Sequence, residues 1–478
     1  MRIFETLTII AVIFSAVNLV FVKRMKLGLA SSAASVLFCI VNLIFEGYRS
    51  QMVPAYLMVL VLLLISVLNA LVRPYHVKKG VRIAGIFVLI LSLIISIALP
   101  ILLPVVKLPG PDGSYSVGTV YMSFTDKSRK GIFTDSDQYR EIAVQIWYPA
   151  DDIKDKQKVA FFPDRKLAAY LAERLGIPNL FDQITLVKTH SYLEAGLSQN
   201  EADYPVVLFS GGYGGFAAQN TIQMEALASH GYVVFGISHP YEDFAGIFPG
   251  GKLIRFDSRQ MNAFQNELLH IGDNYKGDLL SPDFEKYAIR NSKIAYNSVH
   301  IWSDDTSFIA DEIEKLNSGE IKSIFQNKLD TFRMGIFGHS FGGATAGQVC
   351  FEDSRFKAFI NMDGTPFGDV VDNIVKQPFM IMTGDADKNL IKAGYSDQQT
   401  NYLNVTINGA KHADFMDFTV LLPSFRYVGM LGSIGGNRQE KIINDYVIAF
   451  FNKYLKGVSE SLIDEKLSRY KEVTIETK

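Results

Sequence analysis

The chain has 478 residues, with 47 Lys and Arg against 49 Asp and Glu and a formal net charge of −2. This length allows more than one domain, while the nearly neutral charge argues against a nucleic-acid partner and against a polyanionic substrate. Two cysteines cannot build a disulfide framework, and no Cys-x-x-Cys, His-Glu-x-x-His or Walker A spacing occurs, so we expect neither a metal nor another cofactor.

The N-terminal part of the chain contains four apolar stretches, at residues 7–22, 27–45, 54–72 and 83–103. Each is close to the twenty residues that a helix needs to cross the hydrocarbon layer of a bilayer. The cations Lys23, Arg24 and Lys26 follow the first stretch, whereas a secretory signal peptide carries its cations before the apolar run. The pattern therefore predicts a four-helix transmembrane bundle over residues 1–106 and a second domain over residues 107–478.

Positive charges between the apolar stretches indicate the orientation of this bundle. They are concentrated in two of the joints, with Lys23, Arg24 and Lys26 in the first and Arg73, Lys78, Lys79 and Arg82 in the third. Cytoplasmic loops carry an excess of Lys and Arg, so these two joints are expected inside. The sequence thus predicts a multi-pass protein of the cell membrane whose N-terminus and second domain are extracytoplasmic.

One asparagine lies in each of the first three apolar stretches, at Asn18, Asn42 and Asn69. Polar groups inside a membrane either line a path or form hydrogen bonds between helices. Because no ionisable residue lies in the middle of a stretch, we favour interhelical hydrogen bonds. The bundle is therefore expected to anchor the protein rather than to form a pore.

The second domain begins after a linker rich in Pro and Gly at residues 108–113. Apolar runs predict strands at residues 117–124, 142–148, 205–209, 232–237, 329–337, 356–362, 379–382 and 402–407. Helical patterns separate the later runs, and an order of strand, glycine loop, helix and strand is typical of a doubly wound α/β fold with a mostly parallel sheet. Residues 242–288 have weak periodicity, and we expect them to form an insertion that covers a site.

A nucleophile elbow is predicted at Gly338-His339-Ser340-Phe341-Gly342, between an apolar strand pattern and a helix of small residues. A Gly-x-Ser-x-Gly turn in this context exposes the serine oxygen at the top of a sheet. The hydroxyl needs a base, and the base needs a carboxylate; in α/β-hydrolases they follow in the order Ser, acid, His. His412 is the only histidine after Ser340 and is therefore the predicted base.

The acid has two candidate positions. Asp363 ends the strand that follows the elbow helix, while Asp385 and Asp387 end the next strand. Both strand ends lie at the carboxyl edge of a parallel sheet, so the spacing leaves this choice open.

The glycine-rich loop at residues 210–215 follows a buried strand, as the oxyanion loop of an α/β-hydrolase does. This arrangement predicts the backbone N–H groups of Tyr213 and Phe341 as the oxyanion donors. His239 also follows a strand and is a further candidate to line the site.

Several ordered motifs in the second domain carry a family resemblance. They lie at residues 108–119, 147–149, 205–209, 228–232, 338–345, 353–356, 362–364 and 412–418. Between Leu108 and Leu455 the chain resembles the platelet-activating factor acetylhydrolase family, of the plasma and intracellular type II kind with its bacterial relatives. The resemblance implies an α/β-hydrolase fold and a calcium-independent serine esterase that cleaves short or oxidised acyl groups from phospholipids. It also implies Asp363, rather than Asp387, as the acid.

Two features depart from the family pattern. Ser210-Gly211-Gly212 stands where the family usually has Ser-His-Gly or Ser-Pro-Gly, which puts the shape of the oxyanion loop in question. The four apolar stretches are also absent from the best-known members.

The leading functional hypothesis is a membrane-anchored serine carboxylic-ester hydrolase with a Ser340, His412 and Asp363 triad, acting on lipid esters beside a bilayer. The alternatives are a lipid-binding sensor or receptor on a hydrolase fold, and a general esterase or peptidase.

Overall fold

The computed structural model describes residues 1–22, 24–71, 78–132, 137–174, 176, 180–279, 281–385, 388–398, 402–465 and 468–477. These form two compact units. The first comprises residues 1–107, 160–188 and 421–424, and the second comprises residues 108–159, 189–420 and 425–478. Residues 160–188 thus pack with the apolar N-terminal segment, which the sequence pattern did not indicate.

The first unit is helical, with α1 at Ile3–Val17, α2 at Met25–Phe45, α3 at Val53–Leu71, α4 at Lys79–Leu102 and α5 at Arg165–Arg174. A π-helical turn, Asn18–Val22, extends α1, and a 3₁₀ turn, Ser50–Met52, precedes α3. The four N-terminal helices are long and apolar enough to cross a membrane. Their bounds follow the apolar stretches of the sequence because each run of apolar residues is interrupted by polar joints.

Arg49 forms hydrogen bonds at one end of these four helices. Its fully buried guanidinium lies 3.0 Å from the Glu5 carboxylate on α1 and donates to the carbonyl of Leu103, beyond α4, at 2.5 Å. Nearby, Asn42 on α2 accepts a hydrogen bond from the Tyr56 hydroxyl on α3 at 2.8 Å. The expected interhelical hydrogen bond is therefore confirmed for Asn42.

The loop before α3 explains why residues 160–188 belong to the first unit. The backbone N–H and the hydroxyl of Ser50 donate to the Asp182 carboxylate at 2.9 and 2.7 Å. The Gln51 amide donates to Gln183 Oε1 at 2.6 Å, and both glutamine side chains are buried. Polar contacts between distant chain segments, rather than an apolar pattern, therefore tie this segment to the helices.

Within the described residues the main sheet has eleven strands: β1 Ser116–Lys130, β2 Tyr139–Ala150, β3 Lys158–Ala160, β4 Lys188–Leu193, β5 Tyr204–Ser210, β6 Val233–Ile237, β9 Leu329–His339, β10 Phe356–Met362, β11 Phe379–Thr383, β12 Leu403–Ile407 and β13 Val473–Thr477. Their order across the sheet is β13-β12-β11-β10-β9-β5-β6-β2-β1-β4-β3. A separate hairpin pairs β7, Ala245–Ile247, with β8, Leu253–Arg255. The sequence pattern missed the short strands β3, β4 and β13.

The helices that follow α5 are α6 Thr221–Ser229, α7 Ser258–His270, α8 Pro282–Asn291, α9 Lys293–Ser318, α10 Phe341–Glu352, α11 Lys388–Gly394, α12 Phe418–Leu421, α13 Gly436–Lys456 and α14 Ser461–Asp464. Residues 242–288 contain the β7–β8 hairpin, α7 and part of α8. The α7 ring of Phe264 packs against Tyr213, with 5.4 Å between ring centroids.

Strands β12, β11, β10, β9, β5 and β6 are mutually parallel, and the flanking pairs β6–β2, β2–β1 and β12–β13 are antiparallel. β5 and β6 are completely buried, as expected of strands covered by helices on both faces. The predicted doubly wound, mostly parallel α/β fold is confirmed. It brings the loops after β5, β9, β10 and β12 to one edge of the sheet.

Candidate active site

Ser340 occupies a strained turn between β9 and α10. Its φ of 56° and ψ of −121° lie outside the regions that a residue with a Cβ normally adopts. The turn is held because the Ser340 N–H donates to the Met362 carbonyl at 2.8 Å. A Cβ at Gly342 would lie 2.0 Å from the Ser210 carbonyl oxygen, so only glycine allows this approach of helix to strand. The predicted elbow is present as a strand, a tight turn and a helix.

The side chains of Ser340, His412 and Asp363 form a hydrogen-bonded chain. Nε2 of His412 lies 2.9 Å from Ser340 Oγ, and Nδ1 lies 2.8 Å from Asp363 Oδ2. The Asp363 side chain is 1% exposed and that of His412 is 43% exposed. Asp363 Oδ1 accepts the backbone N–H of Gly384 at 2.9 Å. A buried carboxylate thus orients an imidazole whose other nitrogen faces a hydroxyl, as nucleophilic catalysis by serine requires.

The competing acid positions have different surroundings. Asp387 lies outside the described residues. Asp385 is exposed, and its carboxylate accepts the backbone N–H of Gly409 at 2.6 Å in the loop before His412. This contact is that of an aspartate that caps a turn.

The loop after β5 lies against the elbow. A Cβ at Gly212 would be 3.3 Å from Ser340 Cβ, and the Tyr213 N–H that follows has no hydrogen-bond partner within the described residues. The Phe341 N–H opens α10, where the first N–H groups of a helix have no intrahelical acceptor. Among the described residues, neither predicted oxyanion donor has a hydrogen-bond partner, and both lie close to Ser340; their role in binding an oxyanion stays a prediction.

Glu242 anchors the side chain of Tyr213. Its buried carboxylate accepts hydrogen bonds from the Tyr213 hydroxyl at 3.0 Å, from Ser298 Oγ at 2.5 Å and from Trp302 Nε1 at 2.8 Å. Burial raises the pKa of Glu242, although these hydrogen bonds oppose the increase. The Tyr213 ring also stacks on Trp302 with an interplanar angle of 7°. The side chain of Tyr213 is therefore held by a hydrogen bond to Glu242 and by the stacked ring of Trp302.

A second chain of serine, histidine and aspartate lies beneath this loop. Ser210 Oγ is 3.0 Å from His239 Nε2, and His239 Nδ1 is 3.0 Å from Asp305 Oδ2. Arg140 donates to both Asp305 oxygens at 2.6 Å. Ser210, His239 and Asp305 are each 0% exposed, so this serine is not accessible to a substrate. His239 therefore supports the loop after β5 from below and does not line the open site.

The electrostatics of this network follow from its burial. Burial lowers the pKa of His239, and the hydrogen bond to Asp305 only partly opposes this decrease. A lowered pKa favours the neutral imidazole, in which Nδ1–H donates to Asp305 and Nε2 accepts from Ser210. Burial alone raises the pKa of Asp305, but the Arg140 guanidinium outweighs it and holds the value below the usual range. The sequence indicated His239 as a candidate to line the site but not the partners that bind it. Arg140 lies just before the strand predicted at residues 142–148, so no pattern marked it.

His339, the variable residue of the elbow, contacts the loop that contains His412. It is buried, its Nε2 lies 3.1 Å from the His412 carbonyl oxygen, and its Nδ1 lies 2.7 Å from the Gln219 amide nitrogen. Burial, together with the neighbouring His412, lowers the pKa of His339 well below the ordinary value. A neutral ring that donates from Nε2 and accepts at Nδ1 satisfies both contacts. His339 thus positions the backbone of His412.

One cluster has the composition of a metal site. Ligand atoms of His300, Glu352 and Asp369 lie within 4.8 Å of one another. The Gln348 amide donates to both carboxylates at 2.9 Å, and His300 Nδ1 lies 3.0 Å from Glu352. These contacts describe a hydrogen-bonded ion-pair network, and the absence of a metal cofactor stays a prediction.

The chain is similar to a known protein family and to several of its members. A family model described as platelet-activating factor acetylhydrolase, isoform II, matches residues 102–246 and 310–466. The platelet-activating factor acetylhydrolase of Canis lupus familiaris is 26% identical over 377 residues, which is 73% of this chain and 77% of that protein. A probable 1-alkyl-2-acetylglycerophosphocholine esterase of Arthroderma benhamiae is 22% identical over 405 residues, which is 77% of this chain and 92% of that protein.

A solved structure shares the fold. The ferulic acid esterase of Streptomyces cinnamoneus superposes with a TM-score of 0.60 at 23% identity, covering 78% of this chain and 99% of that one.

The matched segments of the family model include Ser340, Asp363, His412 and Tyr213 but leave out residues 247–309. The helix that contributes Asp305 and Trp302 to the site is therefore largely outside the matched segments.

Proposed function

The chain belongs to the platelet-activating factor acetylhydrolase, isoform II, family and is a serine ester hydrolase, and from this premise we propose that Ser340, His412 and Asp363 are its catalytic triad. The observation that supports this assignment is the continuous hydrogen-bonded chain from Ser340 Oγ through His412 to Asp363, with distances of 2.9 and 2.8 Å. The strained backbone of Ser340 supports it further, since such strain is concentrated at functional residues.

The reaction follows from these positions. His412 Nε2 takes the proton from Ser340 Oγ as the oxygen attacks the ester carbonyl carbon, and Asp363 stabilises the imidazolium that forms. The N–H groups of Tyr213 and Phe341 donate to the oxyanion of the tetrahedral intermediate. The imidazolium then protonates the leaving alcohol, and a water molecule that His412 deprotonates releases the acid from the acyl-enzyme.

The proposed substrates are short or oxidised acyl esters of phospholipids. The names of the relatives support this class, because they describe acetylhydrolases of platelet-activating factor and an esterase of 1-alkyl-2-acetylglycerophosphocholine. The proposed setting is a membrane, which α1 to α4 span as an anchor. Support comes from their length and composition, and from the cations Arg24, Lys26, Lys78, Lys79 and Arg82, which predict one cytoplasmic end and an extracytoplasmic hydrolase domain.

The test uses the full chain purified in detergent, as wild type and as Ser340→Ala, with Ser354→Ala as a control at an exposed serine of the same unit. Aryl esters of graded acyl length, and phospholipids with a short or a long second acyl chain, serve as substrates. We expect a fluorophosphonate probe to label wild type and Ser354→Ala, and we expect Ser340→Ala to lose both labelling and turnover while keeping its melting temperature.

Retained turnover in Ser340→Ala would refute the triad. A wild-type chain that neither reacts with the probe nor cleaves any ester would instead favour the lipid sensor, and faster cleavage of matched amides would favour a peptidase. Protease added to intact cells is expected to digest residues 107–478; full protection would refute the extracytoplasmic assignment.

A further inference from the structure

A long cavity of about 1230 Å³ lies among the four N-terminal helices of the first unit. It runs along α3 from Pro54 to Asn69 and along α4 from Ile95 to Val81. The α3 side is about 22 Å long, at 1.5 Å per helical residue. One leaflet of a bilayer contains roughly 15 Å of hydrocarbon. The cavity is therefore long enough to hold an acyl chain along its whole length.

The two ends of the cavity differ in chemistry. Most side chains that line the part near Pro54 and Ile95 are apolar, among them Leu57, Met58 and Val61, and Ser92 is the polar one. Polar and charged side chains line the other end: Asn18, Arg24, Asn69 and Arg82. An apolar length that ends in a cationic, hydrogen-bonding pocket has the shape of a charged lipid.

Asn18 provides an unsatisfied acceptor at the polar end. Its side chain belongs to the π-helical turn and is 3% exposed. Nδ2 donates to the Arg24 carbonyl at 3.3 Å, while Oδ1 has no hydrogen-bond partner within the described part of the chain. Buried polar atoms are nearly always hydrogen-bonded, so this oxygen indicates a donor supplied by a ligand.

The two arginines at this end also lack a counter-charge among the described residues. At the opposite end of the helices, Arg2 and Arg49 pair with Glu5 at 2.8 and 3.0 Å. Within the residues that the structure describes, neither Arg24 nor Arg82 forms an ion pair. Two guanidinium groups at one end of a membrane-facing cavity attract an anionic headgroup.

We propose that this cavity binds one anionic glycerophospholipid. An acyl chain lies between α3 and α4, the phosphate contacts Arg24 and Arg82, and a headgroup hydroxyl donates to Asn18 Oδ1. A free phosphate would leave the apolar length empty, so the lipid is the occupant that satisfies both ends. The inference rests on the proposal that the four helices span a bilayer and is independent of the catalytic assignment.

Native mass spectrometry of the full chain, released from nanodiscs with equal amounts of phosphatidylglycerol and phosphatidylcholine, measures the lipid retained. We expect phosphatidylglycerol to predominate, and Arg24→Gln and Arg82→Gln each to lower the ratio roughly fivefold. Lys26→Gln and Lys79→Gln remove cations from the same helix starts without changing the lining, so they are expected to leave the ratio unchanged. An equal ratio for wild type and the arginine variants would refute the headgroup site.

A second pair of variants tests the acyl-chain part. Gly85 lines the cavity, and a Cβ there would meet no atom within 4 Å, so Gly85→Leu fills the space without changing charge. Gly80→Leu is the control, because Gly80 is equally open but does not line the cavity. We expect Gly85→Leu to lose the bound lipid and Gly80→Leu to retain it; full retention by Gly85→Leu would refute the site. Extraction of the chain from membranes by alkaline carbonate would refute the spanning proposal and the lipid site together.

Discussion

Replacing Gly342 by alanine should disable the site through a contact between two backbones. The added Cβ would lie 2.0 Å from the Ser210 carbonyl oxygen and 2.4 Å from that of Gly211, whereas real Cβ contacts under 3.0 Å essentially never occur. The start of α10 and the end of β5 must therefore separate by about 1 Å. Ser210 leads directly into the loop of Tyr213, so the proposed oxyanion donors move relative to Ser340.

The size of the effect follows from this displacement. A misplacement of 1 Å at a catalytic group costs about 10²-fold in rate, and overpacking of a core costs about 1–3 kcal/mol of stability. We expect kcat/KM of Gly342→Ala on an aryl acetate to fall about 10²-fold, with a lower melting temperature in differential scanning fluorimetry. Phe341 would remain the first residue of α10, so the loss is one of alignment rather than of a donor.

Gly347→Ala is the matched control on the same helix. Its Cβ would meet Tyr395 Oη at 3.4 Å, which is ordinary van der Waals contact, and alanine favours helix over glycine by about 1 kcal/mol. We expect wild-type activity and an equal or higher melting temperature. A Gly342→Ala protein with wild-type kcat/KM would show that the close approach of α10 to β5 does not set the oxyanion geometry.

Three further predictions concern buried ionisable groups of the second unit. Asp363→Asn should lower kcat about 10⁴-fold with little change in KM, because the amide favours the wrong tautomer of His412; a loss below tenfold would contradict its assignment. Burial raises the pKa of Glu440 to about 8, so the folded state keeps a proton that the unfolded state loses from pH 4.5 upwards. The melting temperature should therefore fall as the pH rises from 5 to 8, and Glu440→Gln should make this fall smaller. Asp305→Ala should lower the free energy of unfolding by about 3–5 kcal/mol, because it leaves Arg140 buried and unpaired. Adding Arg140→Met should recover most of this loss of stability, and an undiminished loss in the double variant would contradict the proposed cause.

Several features could be predicted because they depend on neighbouring residues in the sequence. The elbow needs only a strand, two glycines around Ser340 and a helix, and all of these lie within a few residues. The four apolar helices follow from run length. The parallel strands β5, β9, β10 and β11 follow from short apolar runs bounded by turn residues. Short strands such as β4 and β13 were missed because their few residues carry no distinctive pattern.

Other features depend on residues that are distant in the chain. The spacing after Ser340 did not decide which aspartate pairs with His412. The structure brings Asp363 Oδ2 to 2.8 Å from His412 Nδ1 because β10 ends beside β9 at the same sheet edge. Ser210-Gly211-Gly212 leads into a loop whose Tyr213 N–H has no hydrogen-bond partner among the described residues, and its role as an oxyanion donor stays a prediction.

By itself, the amino-acid sequence determined the α/β fold, the serine elbow and the four apolar helices, since each is encoded in local periodicity and turn chemistry. Only the tertiary structure decided which buried groups hold the site. His239 became part of the support for the loop after β5 because Asp305 and Arg140, 66 and 99 residues away from it in the sequence, converge there. Such convergence depends on how strands and helices pack, and no pattern along a single segment contains it.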